Sequence, residues 1–173
     1  MAVREILLLG NPLLYQKCDT VHQDELSGLK GAVQDLHDTM MDFRARHGVG
    51  RAISAPQIGV MKRLVYMHID EPTVFVNPKL TNLSEQMFEL WDDCMSFPEL
   101  LVRVLRHKSC TITYRDVDWN MQSMDLSGGL SELLQHECDH LDGILAVSRA
   151  IDEKSFAHVF QRPFLNDTNV TKP

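Results

Sequence analysis

The stretch LLQHECDHLDG, residues 133–143, sets two histidines four positions apart with a glutamate directly after the first. Four residues is slightly more than one helical turn, so on a helix His136 and His140 stand one above the other on one face. Glu137 points to one side of that face, close to anything held between the rings. In His-Glu-x-x-His on a helix, two imidazoles grip a metal ion and the carboxylate serves as its general base. Composition alone would produce the pattern in well under ~1% of chains this size. The metal reading is therefore preferred over a buried pair of structural histidines.

Working outward, Ser127, Gly128 and Gly129 break the preceding pattern, so the motif helix is expected over about 129–141. Before them lie short β-branched or alternating runs at 63–69, 73–78, 86–91 and 109–116, with another at 121–126 after a turn around 118–120. Further upstream, Leu26, Leu29, Val33, Leu36, Met40 and Phe43 recur at three- and four-residue steps. They form the apolar stripe of a helix capped by Asp24 or Ser27 and ended by His47, Gly48 and Gly50. A third short helix is expected over 151–161. The order helix, strands, helix gives an α+β fold, with mainly antiparallel strands packed around a central metal-binding helix. Residues 1–161 read as a single domain and 162–173 as a polar, loose tail.

The chain has 173 residues, 44% of them hydrophobic, enough to bury a core, and a net charge of −7. No cluster of Lys and Arg marks a nucleic-acid groove, so no direct nucleic-acid binding is expected. No apolar run reaches the ~18 residues of a membrane span. The N-terminal MAVREILLLGNP has no small-residue cleavage site, which argues against a signal peptide. Cys18, Cys94, Cys110 and Cys138 without a secretory signal are expected to be reduced thiols in a cytoplasmic protein.

Two histidines do not complete a metal site, since a catalytic ion commonly takes three protein ligands and keeps one position open. Cysteines, carboxylates and further histidines are candidates. Asp142, Asp152, Glu153 and His158 follow the motif at no compelling spacing, and Cys94 precedes it in WDDCMSFPEL, residues 91–100.

Three segments together resemble the peptide deformylase family of metal hydrolases, which remove the formyl group from the N-terminal methionine of nascent polypeptides. QHECDHLDG (135–143) resembles the family's QHExDHLxG, DDCMS (92–96) its EGCLS, and GRAISAPQIG (50–59) its GxGLAAPQxG. The resemblance spans about residues 3–150. It implies Cys94, His136 and His140 as ligands of one divalent ion, Fe²⁺ in the native state with Zn²⁺, Ni²⁺ or Co²⁺ as possible substitutes. Glu137 would take a proton from the attacking water and deliver it to the leaving amine. The Gln57 side-chain amide and the Met95 backbone N–H would stabilise the oxyanion. Asp92 and Arg106 would support the ligand histidines from behind. The partner implied is an N-formyl peptide, met at the ribosome exit.

The chain also departs from the family pattern. Ala52 stands in place of a glycine, where a Cβ would crowd the strand along which a peptide lies or forbid a glycine-only dihedral. Ser54 replaces an alanine. Asp93 replaces a glycine and would bring a carboxylate within reach of the metal shell. Leu101 replaces an arginine near the substrate's peptide portion. Cys138, two residues past His136, is expected to face away from the metal, and Leu130, Leu133 and Leu134 to build core or an apolar slot for a methionine-like side chain. The competing readings are hydrolysis of another N-formyl substrate, a non-catalytic metal-binding paralogue supported by Asp93 and Leu101, and a zincin-type peptidase.

Overall fold

Apolar residues at helical spacing build two α-helices among the described residues, 2–165 of the computed structural model. In α1 (Lys30–His47) Leu36, Met40 and Phe43 are buried on one face. Leu26 and Leu29 of the same stripe fall in a preceding 3-10 turn, Gln23–Leu29, so the helix proper starts later than its apolar pattern. Gly48, at φ 73°, ends α1 in the left-handed conformation and donates its N–H to the Arg44 carbonyl.

Eight strands follow between and after the helices: β1 (Ala52–Ser54), β2 (Leu64–His68), β3 (Pro72–Thr81), β4 (Met87–Asp93), β5 (Leu100–His107), β6 (Ser109–Arg115), β7 (Met121–Ser127) and β8 (Phe156–His158). They form two sheets, β1-β2-β3-β6-β7 and β4-β5-β8, and every strand pairing is antiparallel. The second helix, α2 (Gly128–Leu141), starts directly off β7 and carries the motif. Ten of its residues, from Ser131 to Leu141, are buried. A helix buried on nearly all sides is one that the rest of the fold surrounds. Packing against β1, β5 and β7 supplies that surround.

One expectation from sequence fails. The helix over 151–161 does not form; this stretch holds β8 and the start of a 3-10 turn, Val159–Phe164. Backbone pairing of Phe156–His158 with Leu100–Val102 takes the place of helical hydrogen bonds. That 3-10 turn also carries ordered structure past residue 161, into the first residues assigned to the tail; positions 166–173 lie outside the described residues. Conversely β5, at the centre of its sheet, was not anticipated.

Gly143 shows why the motif ends in glycine. It sits at φ +71°, and a Cβ there would lie 2.6 Å from the Tyr15 carbonyl oxygen, which belongs to backbone and cannot swing aside. Gly143→Ala is expected to lower stability by about 1–3 kcal/mol. Chemical denaturation would measure this, and an unchanged midpoint would show that the 15–16 backbone can retreat.

Candidate active site

β4 ends at Asp93, and the next residue turns inward: Cys94 is 6% exposed, against 6% for His136 and 1% for His140. Three donors, one from the loop after β4 and two from α2, thus meet in the interior. His136 Nε2 and His140 Nε2 are 3.1 Å apart, and Cys94 Sγ lies 3.3 Å from His140 Nε2. Metal–nitrogen bonds of ~2.0–2.1 Å and a metal–sulfur bond of ~2.3 Å in a tetrahedron require edges of about 3.3 and 3.6 Å. The observed separations fit such an ion. Among the described residues, these three are the group of His, Cys, Asp and Glu donors close enough to share one.

Asp92 sets the chemical form of His136. Its Oδ2 is 2.9 Å from His136 Nδ1, which places the proton on Nδ1 and leaves the Nε2 lone pair for a metal. Arg106 in turn donates to Asp92 at 3.0 Å and to Asp139 at 2.5 Å, and Arg149 donates to Asp139 at 2.8 and 2.6 Å. Burial alone would push the Asp92 carboxyl up; His136 and Arg106 outweigh it and hold the group down at about 2. The expected support of both histidines is realised only for His136. The Nδ1 of His140 is buried and has no hydrogen-bond partner among the described residues.

Glu137 is 3% exposed, and burial raises its carboxyl above the ordinary range, with His136 and the Ser54 hydroxyl pulling the other way. Ser54 Oγ donates to Glu137 Oε2 at 2.5 Å and lies 3.0 Å from the Glu137 carbonyl. The same serine's backbone N–H donates to Gln57 Oε1 at 2.9 Å. With its oxygen so held, Gln57 presents Nε2 to Ser96 Oγ at 3.2 Å and to Cys94 Sγ at 3.6 Å, toward the donor cluster. Met95 follows Cys94 in the same turn and is buried. The fold therefore brings together Cys94, His136, His140, Glu137 and Gln57, with Met95 next to the thiol.

This arrangement comes from a chain whose residues 3–156 match the family model described as Polypeptide deformylase. The chain belongs to the polypeptide deformylase family. It is 33% identical to a peptide deformylase of Leptospira biflexa over 91% of this chain and 93% of that one. Peptide deformylase 1 of Nitrosomonas europaea is 35% identical, over 90% of this chain and 92% of its own. The crystal structure of a peptide deformylase from Legionella pneumophila superposes with a TM-score of 0.78 at 33% identity, covering 86% of each chain. Like other deformylases, the chain is an amide hydrolase, and the family uses a single metal ion.

Two departures from the family pattern turn out otherwise than expected. Ala52 is buried in β1 opposite Met67 and is not among the residues at positive φ, so no glycine-only dihedral is forbidden. Asp93 is exposed, while its neighbour Asp92 is buried, because successive strand residues face opposite sides. It stands outside the group of donors close enough to share an ion. Leu101 is fully buried in β5, paired with Asp93 of β4 and Ala157 of β8. The support that Asp93 gave to a non-catalytic paralogue falls away. Cys138 packs in the core with Cys18, Leu134 and Leu141, and burial pushes its thiol up to about 12. Leu133 and Leu134 are core as well.

Two charged residues at the site carry no motif signal. Glu132 is 4% exposed on α2, and Arg51 reaches it with an Nη2–Oε1 distance of 2.5 Å. Burial raises the Glu132 carboxyl, and Arg51 opposes the rise. The four-residue step from Glu132 to His136 repeats the step between the histidines, and that step was the available clue. A cavity of about 390 Å³ lined by Leu26, Leu29, Val33, Val74 and Trp119 shares no residue with the site.

Proposed function

We propose that this chain removes the formyl group from the N-terminal formylmethionine of nascent polypeptides, acting in the cytoplasm at the ribosome exit. The observation that carries the reading is the meeting of Cys94, His136 and His140 at metal-edge separations with Glu137 beside them. Cys94, His136 and His140 would hold one divalent ion, whose Lewis acidity activates water and polarises the formyl oxygen. Cysteine with two histidines suits Zn²⁺, Ni²⁺ and Co²⁺ as well as Fe²⁺, and Fe²⁺ is the native ion in this reading.

The protein's own groups do the rest. β1 is an edge strand of its sheet, so an extended peptide can pair along it and bring its N-terminal formyl amide toward Glu137. Glu137 accepts a proton from the attacking water at one carboxylate oxygen and passes it to the leaving amine nitrogen, so that formate and a free amino terminus result. Ser54 holds the other oxygen of that carboxylate and so fixes its direction. As the formyl carbon becomes tetrahedral, its oxygen gains charge; Gln57 Nε2 and the Met95 N–H stabilise it, each donor contributing ~3–4 kcal/mol in the transition state. The backbone hydrogen bond from Ser54 to Gln57 Oε1 keeps that amide from flipping its oxygen toward the developing charge.

The test is release of formate from formyl-Met-Ala-Ser by protein reconstituted anaerobically with Fe²⁺ and, separately, with Ni²⁺ or Co²⁺. Formate is expected from each loaded form. Cys94→Ala is expected to lose stoichiometric metal along with activity. Silence from folded, fully loaded wild type would sink the formyl-peptide reading, and a Cys94→Ala protein that kept both metal and activity would sink the ligand assignment.

A further inference from the structure

The face of α2 that carries the imidazoles continues beyond them. His140, His136, Glu132 and Gly129 follow one another in steps of four, four and three, and so lie along one stripe of the helix. After the two histidines the stripe presents a buried carboxylate and then a glycine. The missing side chain of Gly129 leaves room for a guanidinium: a Cβ there would lie 3.5 Å from Arg51 Nη1. Arg51 is thus seated by two contacts, Nη2 on Glu132 Oε1 at 2.5 Å and Nη1 on the Gly129 carbonyl at 3.3 Å.

Exposure rises along this stripe. The donor cluster is closed over, while the first turn of α2 is half-buried and the Arg51 side chain is 38% exposed. Arg51 is therefore the solvent-facing end of the stripe that leads to the donor cluster. Arg51 also directly precedes β1, the edge strand beside which a peptide would lie. A guanidinium has five N–H donors, and these two contacts occupy two of them; the rest are available to a ligand.

We infer that Arg51, anchored by Glu132, is a specificity-determining residue: it forms the wall met by the substrate side chain next to the formyl nitrogen, and it selects a side chain ending in a hydrogen-bond acceptor over an apolar one of equal length. The inference rests on the formyl-peptide reading. Methionine, whose thioether is a weak acceptor, falls between a carboxamide and a hydrocarbon on this wall. An apolar side chain would strip water from the free guanidinium donors and return nothing to them.

The test compares formyl-Gln-Ala-Ser with formyl-norleucine-Ala-Ser, whose first side chains match closely in length and differ in polarity. Wild type is expected to show kcat/KM about tenfold higher for the glutamine peptide. Arg51→Met alone would strand Glu132 as a buried unpaired carboxylate, so the variant used is Arg51→Met/Glu132→Leu, which is expected to prefer norleucine. The same pair of peptides is titrated calorimetrically into Ni²⁺-loaded Glu137→Gln protein, with and without the double change, to read affinity without turnover. Equal rates, or a norleucine preference already present in wild type, would overturn the inference and leave the deformylase reading standing. No hydrolysis of either peptide, with tighter binding of the glutamine peptide that the double change abolishes, would uphold the inference and overturn that reading. Absence of both hydrolysis and binding would overturn both.

Discussion

Glu137→Gln is expected to reduce formate release by ~10²–10⁴-fold, the span of a lost general acid–base. The substitution is nearly isosteric and keeps a hydrogen-bonding atom for Ser54 Oγ, which sits 2.5 Å from the carboxylate. The amide cannot accept the proton of the attacking water, nor return one to the leaving nitrogen. Cys94, His136 and His140 are untouched, so metal content and thermal stability should match wild type. A further consequence concerns stability directly: Glu137 is a buried carboxyl raised by burial, and a neutral amide there removes a group that resists charging. A melting temperature equal to or above that of wild type, together with lost activity, is the expected pair of results. Retention of more than about a tenth of wild-type activity would contradict the assignment, since a general base contributes more than that.

Arg106→Met is expected to cost about 3–5 kcal/mol, the price of stranding one partner of a buried ion pair. Arg106 is 2% exposed and spans two carboxylates, Asp92 on β4 and Asp139 on α2. Without it Asp139 keeps Arg149, but Asp92 keeps only the His136 ring. Methionine fills much of the same volume, so the loss is electrostatic and leaves little cavity. For a chain this size, each kcal/mol moves Tm by about 2–4 °C, so a fall on the order of 10 °C is expected. Metal affinity should drop ~10–100-fold as well, because Asp92 orients His136. Lysine should not rescue, since one ammonium cannot reproduce a planar fork to two carboxylates. A melting temperature within 2 °C of wild type (about 1 kcal/mol or less) would show that Asp92 is satisfied by other means.

How much of this could be read from sequence depended on how local each signal was. The motif helix was legible because its information sits within one turn: His136, Glu137 and His140 specify a face, and Gly128 and Gly143 bracket it. The strands with clear alternation were legible too, as in β6, where buried and half-buried residues alternate throughout. β5 was not, because its burial alternates from Val102 to His107 without an alternation of apolar and polar residues: Arg106 is buried and Leu105 exposed. The 151–161 stretch was misread for the opposite reason: a local helical pattern yielded to pairing with β5, a partner some fifty residues away. Cys94 stands far from the histidines in sequence, and no spacing rule reaches that distance; its assignment as a ligand came from family resemblance, and the sheets bring it to them. Arg51 and Glu132 stayed hidden because each alone is an ordinary charged residue, and only the fold makes them a pair.

The near-complete burial of the three donors bears on how an ion would reach them. With Cys94, His136 and His140 between 1% and 6% exposed, an ion held there would have only the path left to substrate and water, and fast exchange would need partial opening of the shell around them. Exchange is then timed by local unfolding rather than by bare affinity. The metal found in a purified sample would record which ion was abundant as the chain folded, and two preparations of one sequence could differ in activity through their growth media alone.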